Sequence, residues 1–247
     1  MKGIMYTIKF YILTEKGVFY MDNFTFYEPA YSASGKDSEN IILDVDGTLW
    51  DTTDIVAGSW SRAIQDVGIE RVSVTADDLK RLFGKTMKVI ARAILPDCSD
   101  EKRDEVMEAC CRYEEEDLRN SPCKVLYPEV KQTIIELSKT RKVFIVSNCQ
   151  AGYIELFLEK TNLSEYVSDI ECYGNTGKQK GENIQILMKR NGIHKAVYVG
   201  DTIGDCEAAA QAGIPFVFAE YGFGDVPGNP LNIKKFDELL KLDMMLS

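Results

Sequence analysis

The chain has 247 residues, 45% hydrophobic and 28% charged, with 29 Lys and Arg against 39 Asp and Glu for a net charge of −10. The acidic balance excludes a non-specific nucleic-acid or anionic-membrane partner, both of which reward basic surface, and no apolar stretch reaches transmembrane length. It leaves room for a small anionic substrate, because a metal ion and one or two lysines reverse the sign locally.

Such a length holds one large domain or a core with a smaller companion. Seven cysteines (Cys98, Cys110, Cys111, Cys123, Cys149, Cys172 and Cys206) without CxxC spacing read as reduced thiols, as in a cytoplasmic protein. The only histidine, His194, is expected in a surface loop, which leaves Ser-His-Asp catalysis and His-rich metal sites without support.

In chain order, Tyr6 to Leu13 and Val18 to Phe26 flank a Thr14–Gly17 turn and predict an aromatic-rich β-hairpin. Lys9, Glu15 and Lys16 interrupt any signal-peptide core. The segment is either an appendage of the fold or a leader ahead of a natural start at Met5 or Met21. Residues 32–39, rich in Ser and Gly, read as a linker.

Next comes Ile41-Ile42-Leu43-Asp44-Val45-Asp46-Gly47-Thr48-Leu49, a buried strand ending in a sharp turn. Two carboxylates one residue apart repel unless a cation or donor lies between them, and a hard divalent ion such as Mg²⁺ meets that need. Asp-Gly is also an ordinary turn pair. From residue 54 to 119 the pattern is helical, with a capping box at Thr75 and Asp78, an interruption at Gly84-Lys85-Thr86 and a Ser99 cap. Glu114-Glu115-Glu116-Asp117 is expected to be a solvated face.

From Tyr127 onward strands alternate with helices, the signature of a parallel βαβ sheet. The expected elements are a helix over 130–138, a strand over 143–146, a helix over 153–160, a weak strand over 170–173, a helix over 183–191, a strand over 196–199, a helix over 206–212 and a strand over 216–219. The fold class is therefore α/β, a doubly wound parallel sheet with a helical module inserted after its first strand. Strand ends are where ligands bind in such sheets. The second delivers Ser147-Asn148, read as a hydroxyl and amides at a helix start that cradle an anion, or as a plain loop. The penultimate one delivers Gly200-Asp201-Thr202-Ile203-Gly204-Asp205, read as a metal ligand with a helper, or as a capped helix start. Between them, Lys178 and Lys180 precede a helix.

These four pieces, over roughly residues 40–220, resemble the motifs of the haloacid dehalogenase superfamily. Asp44-Val45-Asp46-Gly47-Thr48 is similar to its first motif, Ser147 to the second, Lys180 or alternatively Lys178 to the third, and Gly200-Asp201 with Asp205 to the fourth. Many relatives have Lys-Pro where this chain has Lys180-Gly181, so both lysines stay open. The resemblance implies a Mg²⁺-dependent, phosphoglycolate phosphatase-like hydrolase of a small phosphorylated metabolite, acting as a monomer or small homo-oligomer. Asp44 would be nucleophile and Asp46 acid and base. Mg²⁺ would sit on Asp44, the Asp46 carbonyl and Asp201; Gly47, Ser147, Asn148 and Lys180 would bind phosphate, with Asp205 behind them. An acid at Asp46 disfavours dehalogenation. It also implies a core over 39–53 and 121–247, a helical cap over 54–120 and an N-terminal extension over 1–38, with Lys85 and Thr86 read either at a cap tip that sets specificity or in a plain interhelix turn. Two alternatives remain: a sugar-phosphate mutase using the same Asp pair, and a non-catalytic binding or regulatory protein on this fold.

Overall fold

The structure, a computed structural model, describes residues 40–122, 124–228 and 230–242, together with four strand segments within the first 37 residues. In that first unit, Met1–Asp37, strand β1 (Met5–Ile8) pairs antiparallel with β4 (Phe24–Tyr27), and β2 (Tyr11–Thr14) pairs with β3 (Gly17–Tyr20). The expected hairpin is thus two nested ladders, the inner one closing at Thr14 opposite Gly17. The expected linker lies outside the described residues.

The second unit, Ser38–Ser247, is built on six parallel strands in the order β10-β9-β8-β5-β6-β7. They are β5 (Asn40–Leu43), β6 (Val143–Ser147), β7 (Asp169–Cys172), β8 (Ala196–Gly200), β9 (Phe216–Ala219) and β10 (Asn232–Ile233). The apolar runs of β5, β6 and β8 bury both faces, as strands covered by helices on each side must. Ile41, Leu43, Val143, Ile145, Val197 and Val199 face one core, whereas Ile42, Phe144, Val146 and Tyr198 face the other. This period-two division is the physical basis of the doubly wound sheet. From β5 the chain runs outward through β6 and β7, then crosses back to β8 and outward again through β9 and β10. The order therefore reverses between β5 and β8, and ligand sites of open α/β sheets lie at that switch.

Between β5 and β6 come helices α1 (Thr53–Asp66), α2 (Ala76–Lys80), α3 (Met87–Ile94), α4 (Asp100–Asn120) and α5 (Val130–Ser138). Thr75 and Asp78 form the reciprocal capping box expected for α2, and the Ser99 hydroxyl caps α4. The acidic run on α4 differs from its expectation: Glu114 is buried, 3% exposed, among Val106, Ala109, Cys110 and Leu118. One residue of a charge run turned inward because 3.6-residue periodicity puts position 114 on the same face as 110 and 118.

After β6, α6 (Tyr153–Thr161) begins only after a five-residue loop over 148–152, so Ser147-Asn148 is not at a helix start. Helix α7 (Tyr173–Thr176) is a single turn, and α8 (Lys180–Arg190) starts three residues earlier than expected. Helix α9 (Ile203–Ala212) also starts three residues early, because Thr202 and Asp205 make a capping box. Two-residue β10 and the short 3-10 turn Phe236–Lys241 have no sequence period long enough to foretell them. No helix among the described residues is long and apolar enough to cross a membrane.

Candidate active site

The carboxyl ends of β5 and β8 are neighbours in the sheet, so Asp44 and Asp201 are brought together by register alone. Asp44 is 1% exposed and Asp201 fully buried. With Asp205 of α9 they place one carboxylate oxygen each within 4.8 Å of the others. A Cβ at Gly47, whose φ is +81°, would overlap the Asp201 carboxylate, so only glycine permits this approach. Asp201 is held by Thr48 Oγ1, which donates to Oδ1 at 3.3 Å, and by the Phe223 amide, which donates to Oδ2 at 2.8 Å.

Asp205 has the right charge for a metal ligand but is already engaged. Its Oδ2 accepts from the Asp201 amide and from the Thr202 amide and hydroxyl at 3.2, 2.9 and 2.7 Å, and its Oδ1 from Lys180 Nζ at 2.5 Å. Its part in the cluster is to fix Lys180 and the β8 turn. Lys180 opens α8 and reaches Asp44 Oδ1 at 2.9 Å. Burial works against its charge, yet the Asp205 and Asp44 carboxylates more than offset that and raise its pKa. Lys178 is exposed and pairs with Glu182 at 3.4 Å. Of the two lysines left open by the sequence, only Lys180 joins the cluster.

Burial pushes the Asp44 carboxyl up to about 6, with Lys180 pulling it down and Asp205 adding to the rise. Burial likewise raises Asp201 well above the usual carboxylate range, and Asp205 and Asp44 push the same way. Asp44 Oδ1 has the Lys180 ammonium nearby but no hydrogen-bond donor in line. Three buried carboxylates share the single Lys180 ammonium, and the negative charge left over, which lifts Asp44 and Asp201 together with burial, is what a cation would offset. The all-oxygen, hard donor set fits a divalent ion such as Mg²⁺.

Asp46 turns away from this cluster. Its Oδ1 accepts from Tyr153 OH at 2.7 Å, Trp50 Nε1 at 2.9 Å and Thr52 Oγ1 at 3.3 Å. Burial pushes its pKa up to about 7, the charges of Asp44 and Glu114 adding to the rise while Tyr153 and Trp50 oppose it. These three donors were not singled out from the sequence. Trp50 and Thr52 follow Asp46 by four and six residues, but Tyr153 is far away in sequence and only the topology brings it back.

Asp46, Ser147, Asn148 and Lys85 line one cleft enclosing about 420 Å³, solvent space at its mouth included. Lys85 is exposed at its rim, and Thr86 is buried at the N-cap of α3. Two expected phosphate contacts are already committed. The Gly47 amide donates to the Trp50 carbonyl at 2.9 Å, so Gly47 supplies space instead of a donor. Asn148 Nδ2 donates to the Gly84 carbonyl at 2.8 Å, tying the loop after β6 to the turn before α3. At the same turn Phe83 stacks edge-on against Phe223, centroids 5.9 Å apart.

Residues 41–219 match the model of the family described as haloacid dehalogenase-like hydrolase, most of the chain. The chain belongs to the haloacid dehalogenase-like hydrolases. A phosphoglycolate phosphatase from Agrobacterium fabrum is 27% identical over 195 residues, 75% of this chain and 82% of the relative. One from Aquifex aeolicus is 28% identical, over 74% and 85%. Among solved structures, a predicted phosphoglycolate phosphatase from Haemophilus somnus superposes with a TM-score of 0.72 at 19% identity, covering 84% of this haloacid dehalogenase-like chain and 98% of that one.

Proposed function

We propose that this hydrolase is a Mg²⁺-dependent phosphatase of small phosphate monoesters, working through an aspartyl-phosphate on Asp44. The observation that carries the reading is the buried Lys180 held between Asp44 and Asp205 at 2.9 and 2.5 Å, next to Asp201. A donor-poor anion, a fixed cation and a second carboxylate suit an incoming phosphoryl group better than they suit a folding role, for which an apolar core would serve as well. The phosphoglycolate phosphatase relatives support the same reaction class.

In the first step an Asp44 oxygen attacks phosphorus while the bond to the leaving oxygen breaks. Asp46, held through Oδ1 by Tyr153, Trp50 and Thr52, carries its proton on Oδ2 and gives it to that leaving oxygen. A water then attacks the aspartyl-phosphate, Asp46 takes its proton, and inorganic phosphate and free Asp44 result. Lys180 and Ser147 hold the phosphoryl oxygens. A bound Mg²⁺, held by Asp44, Asp201 and the Asp46 carbonyl, would neutralise the charge shared by phosphate and nucleophile. The helices from Thr53 to Asn120 act as a cap whose Gly84 turn closes the cleft and excludes water.

Phosphate release from a panel of phosphate esters with Mg²⁺, using Asp44→Asn as the blank, tests this. Turnover by wild type and none by the variant is the expected result; equal turnover by both removes Asp44 as nucleophile. An isomer formed from a hexose phosphate without free phosphate would indicate the mutase instead.

A further inference from the structure

Glu114, carried by α4, lines the same cleft as Asp46. Its Oε1 accepts from Trp60 Nε1 at 3.0 Å and from Cys110 Sγ at 3.2 Å, and its Oε2 from Gln150 Nε2 at 2.7 Å. Trp and Gln amide hydrogens only donate, so both carboxyl oxygens are fixed as acceptors. Oε1 already accepts twice, whereas Oε2, with Gln150 as its one donor, has a second lone pair to offer. Burying such a carboxyl costs stability unless it is paired, and among the described residues no cation pairs with it; the three neutral donors orient it without neutralising it. A carboxyl that serves packing alone would be replaced by an apolar side chain at lower cost.

A second acceptor lines the same cleft. Asn148 Nδ2 is fixed on the Gly84 carbonyl, and its buried Oδ1 has no donor at all. The leaving group must extend past Asp46, since Asp46 serves the oxygen that links it to phosphorus, and the cleft that Asp46 lines is also lined by Glu114, Trp60, Met87 and Ile90. Among the described residues lining the cleft, the one cation is Lys85, exposed at the rim.

Resting on the phosphatase reading, we infer that Glu114 and Asn148 form an acceptor subsite for a neutral, polyhydroxylated leaving group, and that Glu114 rejects a leaving group bearing a carboxylate. Hydroxyls match all three groups at once: they donate to Glu114 and to Asn148 Oδ1 and accept from Lys85. A carboxylate leaving group offers no donor and sets its oxygens against acceptors, Glu114 Oε2 and Asn148 Oδ1. An ammonium leaving group meets Lys85. This specificity differs from the one named for the phosphoglycolate phosphatase relatives, whose namesake substrate has a carboxylate in its leaving group.

The test is kcat/KM with Mg²⁺ for glycerol phosphate, phosphoglycolate and phosphoethanolamine, with para-nitrophenyl phosphate as the common reference. Wild type should favour glycerol phosphate over phosphoglycolate by about tenfold or more, as sites built to bind hydroxyls do. Glu114→Gln should narrow that ratio by about tenfold, chiefly through KM. Equal or better use of phosphoglycolate by wild type overturns the inference while leaving the phosphatase reading intact, and this comparison needs no variant. A preference for phosphoethanolamine over glycerol phosphate also overturns it. An unchanged ratio in a folded Glu114→Gln protein overturns the role of Glu114. No turnover of any ester, the reference included, defeats the phosphatase reading and this inference together.

Discussion

Asp46 differs from Asp44 in its partners more than in its position. Three neutral donors converge on one of its oxygens, while Asp44 faces an ammonium and a carboxylate. That contrast supports the proposed proton transfer by Asp46 and predicts a selective defect. Asp46→Asn should lower kcat for an alkyl phosphate by about 10²–10⁴-fold. Release of an aryl leaving group, which departs as a stabler anion, should suffer much less in the first step. Pre-steady-state bursts with the two ester types measure this directly, and equal losses would remove Asp46 as general acid. At this scale much of the site was legible. Asp44, Asp46, Lys180, Asp201 and Asp205 each stand at a strand end or helix start, and strand ends can be read from local patterns. Tyr153, Trp50 and Glu114 were not legible as site residues. Tyr153 and Glu114 reach the cleft from distant elements, and in the sequence they resemble an ordinary helix start and one member of a solvated acidic run.

At the scale of elements, the apolar runs of β5, β6 and β8 fell where the sequence put them. The starts of α8 and α9 did not, because their first turns carry polar residues that serve the site. Lys180 and Asp205 are buried by each other, so the usual rule of apolar periodicity does not see them. A second ionic cluster, away from the cleft, allows a stability prediction. Arg190 at the end of α8 bonds Asp169 at 2.6 Å and Glu171 at 2.5 Å on β7. Burial alone would raise the Asp169 pKa, but the Arg190 and Asn191 hydrogen bonds more than offset it and hold it below the ordinary 3.8. A depressed carboxylate pKa contributes stability that is complete above the ordinary value and is lost as pH falls through the folded value. Arg190→Met should cost about 1–3 kcal/mol near neutral pH, largely by stripping buried Glu171 of its partner. The deficit, followed by thermal melts, should shrink as pH drops below 3.8. A deficit independent of pH would assign the loss to packing of the Arg190 stem.

Across the whole molecule, the sheet order places Asp44 and Asp201 at its switch point, and the helices between β5 and β6 supply Gly84, Lys85 and Glu114 to the same cleft. The α/β architecture followed from alternating patterns in the sequence. The closeness of the Gly84 turn to Asn148 and Phe223 did not, since no local pattern encodes how a helical segment folds back over a sheet. A cation site shared between two strand ends should stabilise the entire fold. Mg²⁺ at a hundredfold excess over its dissociation constant should add about 2.7 kcal/mol, read as a rise in Tm that EDTA reverses. Asp201→Asn should abolish that rise; an undiminished shift in the variant would place the ion elsewhere.

The central claim is the covalent intermediate on Asp44. Asp46→Asn lacks the base for the second step, so with para-nitrophenyl phosphate and Mg²⁺ it should accumulate phosphoenzyme. Acid quench and peptide mass mapping should find the phosphoryl group on the peptide carrying Asp44. A phosphoryl group on another residue, or turnover that persists in Asp44→Asn without any adduct, would contradict the account.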